Sequence, residues 1–418
     1  MPLAASSLDL TGLIRPGDRV LVEQGTAEPL TLTEALVAQA GSLGGVEVFL
    51  GTTFSATFAP ERCEGLRVSA YGGTGRNAAL ARAGRLDVLP WHYGAMSEAF
   101  GDGRLRADVV LLQVSPDRGG PPNLGLCNDY AALAARHARL VIAEVNPGAP
   151  WTHGPGLPEG ARIDLLVEAG RPVVDAPPSH VGEVEARIAS RVAALIPDGA
   201  VLQVGIGTVP DAILGALLHH RDLGIHSGVI GDRVLDLVEA GAVTNARKNL
   251  HPGITVAGAL WGTARLARHA DGNPALELHP AGVTHGHPTL GRLERFHAVN
   301  SAVEVDLTGQ VNAEVADGVY LGAVGGQVDF VRGAIASPGG RSIIALPSTA
   351  RRGASRIVPR VATVTTPRSD ADVVVTEWGV AELRGQTLRE RARRLVAVAA
   401  PQFREDLERA LREGAAGV

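Results

Sequence analysis

Two stretches of the sequence, IRPGDRVLVEQGTAEPLTLTEAL (residues 14–36) and IPDGAVLQVGIGTVPDAILGAL (residues 196–217), follow the same pattern. In each, a glycine precedes an apolar run, a Gly-Thr pair ends that run, and a proline follows closely. The third residue after the proline is aliphatic, and Ala-Leu occupies the sixth and seventh positions. A strand, a tight turn, a proline near the helix start and an amphipathic helix open a β-α unit. The repetition predicts two related α/β halves, with chance similarity as the alternative for so short a motif.

The remaining segments favour the same fold class. Short runs rich in β-branched residues lie at 108–114, 139–145, 164–168, 201–204, 342–346 and 372–376. Continuous apolar strands of this kind are typical of a parallel sheet covered on both faces. The segment 147–182 is rich in Pro and Gly and predicts a crossover between the halves. We therefore expect one domain in residues 1–185 and a second in residues 186–418.

Composition excludes several classes of protein. A chain of 418 residues is long enough for two domains, and its net charge of −5 offers no basic surface for nucleic acid. The apolar runs are strand-sized, well short of the ~18 residues that a bilayer span needs. MPLAASSLDL, residues 1–10, lacks the features of a secretory signal, and the two cysteines show no metal-ligand spacing. These features predict a cytoplasmic, metal-free protein without a membrane or nucleic-acid partner.

Several longer motifs carry a family resemblance. They are QVGIGTVPDAIL (203–214), NSAVEVDLTGQVNAE (300–314), LGAVGGQVDF (321–330), IIALPSTARRGASRIVP (343–359) and VVVTEWGVAELRGQTLRERA (373–392), supported in the first half by ADVVLLQVSP (107–116) and LVIAEVNPGAPWTHG (140–154). In this order, the set resembles the acetyl-CoA hydrolase/transferase family, which includes 4-hydroxybutyrate and succinyl-CoA:acetate CoA-transferases. The resemblance implies two open α/β domains of the class I CoA-transferase type. It also implies an acyl-CoA substrate, a carboxylate acceptor and a homo-oligomer, with the CoA and acyl site carried mainly by residues 186–418.

Two glycine-rich segments are the candidate binding loops. The first contains Gly205, Ile206, Gly207 and Thr208; the second contains Gly322, Gly325 and Gly326. The first lies between a strand and a helix whose free N-terminal amides suit polar ligand groups or an oxyanion. Ordinary tight turns are the alternative for both segments. The resemblance implies that the Gly326 amide belongs to the oxyanion hole and that the first segment forms the other side of the acyl pocket.

Charged residues add further candidates. Arg351 matches a family position that suits CoA phosphates, although a solvated surface cation is the alternative. Glu304 and Asp306 alternate with apolar residues, so both acids lie on one strand face. That arrangement permits a pair of catalytic carboxylates, but acids that anchor loops are the favoured interpretation.

The chain departs from the family at the nucleophile. CoA-transferases of this kind react through a glutamate carboxylate that forms a mixed anhydride and then a thioester. The stretch IHSGVIGDRV (225–234) matches the family around this glutamate, but Gly228 occupies the nucleophile's own position. Glycine cannot form the anhydride, and its lack of a side chain predicts an empty space beside the thioester. Such a space admits water, a larger acyl group or a substrate that supplies its own nucleophile.

Three functions follow as alternatives. The first is hydrolysis or glutamate-independent transfer of an acyl-CoA, with Asp232, His226, Glu304 or Asp306 as general base if one lies within ~3 Å of the reacting group. The second is an ordinary carboxylate CoA-transferase that uses a different acid. The third is a CoA-thioester-binding protein without turnover.

Overall fold

The computed structural model describes residues 2–414, and the first half of the chain forms a seven-stranded parallel sheet. Its strands are β1 (Arg19–Val22), β2 (Glu47–Leu50), β3 (Arg67–Ala70), β4 (Asp87–Val88), β5 (Val109–Val114), β6 (Leu140–Val145) and β7 (Leu165–Glu168). Its helices are α1 (Leu30–Gln39), α2 (Asn77–Arg82), α3 (Tyr93–Gly101) and α4 (Tyr130–Ala134). The strand order is β4-β3-β2-β1-β5-β6-β7. All residues of β5 are buried, as expected for a strand covered on both faces.

The second half forms an eight-stranded sheet and two small accessory sheets. The strands are β8 (Val201–Val204), β9 (Gly224–Ile230), β10 (Thr255–Leu260), β11 (Leu276–Leu278), β12 (Phe296–Asn300), β13 (Glu304–Asp306), β14 (Val311–Asn312), β15 (Val315–Ala316), β16 (Val319–Tyr320), β17 (Arg341–Ala345), β18 (Ile357–Val358), β19 (Val373–Thr376) and β20 (Gly379–Glu382). The main order is β11-β10-β9-β8-β12-β17-β19-β20, and the last pair is antiparallel. The accessory sheets are β14-β13-β18 and β15-β16.

Nine α-helices of the second half surround these sheets within residues 2–414. They are α5 (Glu183–Ala193), α6 (Thr208–Ala216), α7 (Asp232–Glu239), α8 (Ala264–Ala270), α9 (Ala281–Thr284), α10 (His287–Leu290), α11 (Gln327–Ala336), α12 (Leu388–Val398) and α13 (Arg404–Arg412). None of the described helices combines the length and hydropathy that a membrane crossing requires.

The two halves repeat one topology. β1 and β8, the strands of the two repeated motifs, hold equivalent places: β4-β3-β2-β1-β5 in one sheet corresponds to β11-β10-β9-β8-β12 in the other. The predicted α/β class with two related sheets is therefore confirmed, and all six predicted strand segments form strands. Strand order reverses beside β1 and beside β8, so each sheet opens a crevice at the carboxyl ends of these strands. In the sequence, the strands of the first sheet precede residue 185 and those of the second follow it. The division into two domains at residue 185 stays a prediction.

Contacts between the halves fix the crevices against each other. The Thr26 hydroxyl donates to the Leu260 carbonyl at 2.5 Å, and the Asn128 amide donates to the Gly258 carbonyl at 2.8 Å. The Tyr93 amide donates to the Gly325 carbonyl at 2.9 Å. Because these bonds join strand ends and helix starts, the crevice of one sheet faces the crevice of the other.

Candidate active site

A cavity of about 150 Å³ lies between the two sheets. Both halves contribute walls: Gln24, Tyr71, Tyr93 and Asp129 come from the first, and Gly228, Gly258, Trp261, His285, Gly325, Gly326 and Phe330 come from the second. Gln24 follows β1 and Tyr71 follows β3, while Gly228 lies near the end of β9. The cavity thus occupies the position expected for a ligand site in open α/β sheets.

The wall from the first half is a closed hydrogen-bond network. Gln24 Nε2 donates to Asp129 Oδ2 at 2.7 Å and to the Tyr93 hydroxyl at 2.8 Å. The Tyr71 hydroxyl donates to Gln24 Oε1 at 2.7 Å, and Asp129 Oδ1 caps α4 by accepting from the Ala131 amide at 3.0 Å. Burial raises the pKa of Asp129, although these hydrogen bonds oppose the rise. Since both carboxyl oxygens are engaged, this side of the cavity serves as a rigid wall.

His285 fills the space beside Gly228. Its ring lies between the rings of Tyr93 and Phe330, at centroid distances of 4.7 Å and 4.5 Å. A Cβ added at Gly228 would lie 2.6 Å from His285 Cε1 and 2.8 Å from Nε2, and a Cβ at Gly326 would lie 2.6 Å from Nε2. The expectation of an empty space at Gly228 is therefore wrong, because an imidazole occupies it. Both glycines are needed to make room for that ring.

The imidazole is buried, and in the part of the chain that the structure describes it has one hydrogen-bond partner. Its Nδ1 lies 2.9 Å from the Thr284 hydroxyl, which also lies 3.4 Å from the Pro280 carbonyl. Burial lowers the pKa of His285 to about 3, so the ring is neutral near pH 7. Nε2 makes no hydrogen bond within residues 2–414 and points between Gly228 and Gly326. Sequence reasoning missed His285, because a histidine in VTHGH (283–287) matches no catalytic motif.

The glycines of the second segment have two different roles: two of them line the cavity, and one is a packing position. Gly325 and Gly326 line the cavity at the start of α11, and Gly325 has the left-handed φ of +51° that favours glycine. The amides of Gly326 and Gln327 find no acceptor among the described residues, as expected at a helix N-terminus. Gly322 lies outside the cavity lining, where an added Cβ would be 1.9 Å from the Ala313 carbonyl oxygen. Gly322 is a tight packing position, whereas the other two border open space.

The first glycine segment lines a second, more open cavity of about 560 Å³. Ile206, Gly207 and Thr208 contribute the start of α6, and residues 182–185 contribute the start of α5. Gly207 has a φ of +112° at the helix cap, a conformation that side chains disfavour. Gly205 precedes this loop and lines neither cavity.

Two arginines border the second cavity. Arg351 is exposed, whereas Arg356 is partly buried and has no acidic partner within 4.0 Å in residues 2–414. Burial lowers the pKa of Arg356, and the more distant Glu304 and Glu377 oppose that effect. A guanidinium in this position attracts an anion into the cavity.

The other predicted general bases lie outside the first cavity. Asp232 begins α7 and accepts from the Thr263 amide at 3.1 Å, and Glu304 accepts from Asn312 Nδ2 at 3.2 Å. Asp306 is fully buried and binds the Thr308 amide at 2.9 Å and its hydroxyl at 2.7 Å, which is the geometry of a loop anchor. The structure does not bring any of these acids to Gly228.

His226 lies two residues before Gly228, on the same strand. Its Nε2 lies 3.1 Å from the Val283 carbonyl oxygen, and Nδ1 is buried without a hydrogen-bond partner among the described residues. Burial lowers the pKa of His226 to about 3. The side chain does not line the cavity, so it cannot contact a ligand held there.

Two groups of side chains have the composition of a metal site. His251, Glu277 and His279 lie within reach of one ion, and Glu23, Cys127 and Asp129 form a second, buried group. In the first group, Glu277 already accepts from His279 Nε2 at 2.7 Å. Burial lowers the pKa of the nearby Lys248 ammonium to about 7, and the charge of Glu277 opposes that effect. In the second, Asp129 is engaged by the network of Gln24.

Comparison with known proteins identifies the family of this chain. The sequence model of the acetyl-CoA hydrolase/transferase C-terminal domain matches residues 262–411. Over 398 residues the chain is 42% identical to the 4-hydroxybutyrate coenzyme A transferase of Clostridium kluyveri, an alignment covering 93% of this chain and 92% of that protein. The chain belongs to the acetyl-CoA hydrolase/transferase family. It is thus an enzyme of this family, as the sequence motifs predicted.

Solved structures support the same family fold. RipA from Yersinia pestis matches with a TM-score of 0.90 and 33% identity, covering 97% of this chain and 96% of RipA. The 4-hydroxybutyrate CoA-transferase from Porphyromonas gingivalis matches with a TM-score of 0.80 and 35% identity, covering 97% of this chain and 95% of that protein. The acetyl-CoA hydrolase/transferase fold is therefore shared along almost the whole chain.

Proposed function

We propose that the protein hydrolyses acyl-CoA thioesters in the cavity between the two sheets, without a glutamyl intermediate. The position of His285 carries this proposal. Its imidazole fills the space in which a side chain at position 228 would stand, 2.6 Å from the site of a Cβ. A glutamate nucleophile and this imidazole exclude each other. Water is then the simplest nucleophile, since a thioester needs only an attacking oxygen and stabilisation of the oxyanion.

The second cavity is the proposed site for CoA. It brings together the N-terminus of α6, whose free amides favour anions, and the guanidinium groups of Arg351 and Arg356. At the start of α5, by contrast, the Gly182 amide already donates to the Glu185 carboxylate, so α6 and the arginines carry the proposal. Asn300 lines the first cavity and Ser301 lines the second, so the two are adjacent. A CoA bound with its phosphates at the arginines would direct its thioester toward Gly228. The amides of Gly326 and Gln327 would then donate to the thioester oxygen.

Transfer to a carboxylate is the second candidate, favoured by the similarity to named CoA-transferases. It requires a carboxylate nucleophile, and Asp129 is the acidic residue that lines the first cavity. Asp129 is an unfavourable nucleophile because burial raises its pKa and hydrogen bonds occupy both oxygens. We therefore rank transfer through this acid below hydrolysis.

A panel of acyl-CoA thioesters separates the two reactions. Free thiol is measured with and without acetate, and formation of acetyl-CoA from the other thioesters is measured by chromatography. Hydrolysis predicts thiol release that does not depend on acetate. Acetate-dependent exchange without thiol release would instead establish transfer, and neither reaction with any thioester would leave CoA binding without turnover.

A pair of variants tests the role of His285 in excluding glutamate. Gly228→Glu alone should give no transfer to acetate, because the new side chain meets the imidazole. Gly228→Glu combined with His285→Ala makes room for the carboxylate and should gain transfer activity. Equal transfer activity in the single and double variants would contradict this steric argument.

The broader predictions from the sequence remain to be tested. A cytoplasmic location, a homo-oligomeric state and a metal-independent reaction stay predictions. Size-exclusion chromatography with light scattering measures the oligomeric state, and activity after dialysis against a chelator tests the metal independence.

A further inference from the structure

We infer that His285 is the general base of the reaction, with Nε2 taking a proton from the attacking water. This inference rests on the proposed hydrolysis and names the group that performs it. The geometry supports it first. Nε2 is the ring atom that faces the glycines at 228 and 326, and it lies beside the free amides at the start of α11. A water bound at Nε2 would stand next to a thioester whose oxygen accepts from those amides.

The hydrogen bond at the other ring nitrogen sets the tautomer. We assign the proton to Nδ1: a Thr284 hydroxyl that donates to the Pro280 carbonyl, 3.4 Å away, leaves its oxygen free to accept from Nδ1–H at 2.9 Å. With the proton on Nδ1, Nε2 carries a lone pair. Thr284 is therefore a positioning residue that keeps the basic nitrogen toward the cavity.

The surroundings keep the ring neutral and in place. Tyr93 and Phe330 pack on its two sides, and burial lowers its pKa. Titratable groups near the ring are the Tyr93 phenol on α3 and, farther away, Asp129 before α4 and Asp329 on α11. Burial raises the pKa of both acids, that of Asp329 to about 6, and neither carboxyl offsets the lowering of the His285 pKa, which comes from burial alone.

The reaction balances with water as the only co-reactant. Nε2 accepts a proton while the water oxygen bonds to the thioester carbon, and the carbonyl electrons move onto its oxygen. Collapse of this intermediate breaks the C–S bond. The imidazolium then returns its proton to the departing thiolate, which leaves a carboxylic acid and CoA with a free thiol.

Chemical rescue tests the assignment. His285→Ala should lower the kcat for acyl-CoA hydrolysis by about 10²-fold, the lower end of the usual contribution of a general base, because a ring with a pKa of about 3 is a weak base. Added imidazole should restore part of that activity, because the variant keeps a ring-shaped space between Tyr93 and Phe330. The matched control is His297→Ala, which removes another buried histidine whose pKa burial also lowers, but which lies in β12 away from the cavity. The control should keep its kcat, and imidazole should not change it.

The outcomes separate the two proposals. Hydrolysis by the unaltered protein together with a His285→Ala kcat within about threefold of it would overturn the role of His285 alone. An acyl group found covalently bound to His285 after quenching would show that His285 is a nucleophile. That result would also overturn its assignment as a general base. Absence of hydrolysis in the unaltered protein would overturn the proposed function, and the inference with it.

Thr284→Val, with Thr284→Ser as the conservative partner, should lower kcat only in the valine variant while KM stays unchanged.

Discussion

Gly228→Ala is a small change with a large expected effect on stability. The added methyl would lie 2.6 Å from His285 Cε1 and 3.2 Å from Phe330 Cζ, well inside van der Waals contact. Overpacking of this kind costs about 1–3 kcal/mol. His285→Ala acts in the opposite direction, since it opens a void whose cost is about 2–4 kcal/mol on the scale of large-to-small core substitutions. When the two changes are combined, the methyl added at position 228 enters the void left by the imidazole.

The double variant Gly228→Ala, His285→Ala should therefore lose less stability than the sum of the two single losses. We expect a coupling of about 1–2 kcal/mol, within the range observed for residues in direct contact. Denaturant unfolding followed by fluorescence and circular dichroism gives the four free energies of unfolding. The matched control is Gly215→Ala in α6, where an added Cβ meets no atom within 4 Å, and its stability should not fall. Strict additivity of the two cavity variants would refute the steric reasoning.

Three further measurements follow from the same geometry. A cavity of about 150 Å³ accepts a benzene-sized group, so kcat/KM should fall sharply for acyl chains beyond about six carbons, and Phe330→Ala should move that limit upward. Arg356→Gln should raise KM for acyl-CoA about tenfold or more at nearly constant kcat, whereas Arg352→Gln, at an exposed and loosely paired residue, should not. Because burial lowers the pKa of His285 to about 3, the unfolded chain takes up a proton first as the pH falls below about 6.5, and stability is lost toward pH 3. Between about pH 6 and pH 4 the unfolding free energy of the unaltered protein should fall by about 1.4 kcal/mol per pH unit more than that of His285→Leu, and equal slopes would contradict the burial of a neutral ring.

The fold was predictable because its signals are local. The apolar runs that became β5, β6 and β8 are continuous in the sequence, and the paired Gly-Thr motifs lie at equivalent strands of the two sheets. Gly325 and Gly326 were also recognisable as residues of the site, since a glycine-rich turn before a helix has a characteristic pattern. The family motifs extended this prediction to nearly the whole chain.

The chemistry of the cavity was less predictable because it depends on contacts between distant residues. Gln24, Tyr71 and Asp129 are far apart in the sequence and meet only when strand ends converge. The same holds for His285, which lies directly after the short helix α9 and contacts Gly228 on strand β9. A missing side chain is visible in a sequence, but the group that replaces it is visible only in the fold.

The contact between His285 and Gly228 also has a consequence for evolution. A glutamate that fits at position 228 would require at least two substitutions in this chain, one at Gly228 and one at His285. A glutamate introduced first would collide with the imidazole. Loss of the histidine first would leave a void, and the attacking water would lack the proposed general base. Each single step lowers stability or activity, so selection would oppose a return through either route. Lineages that acquired this pair would be expected to keep it.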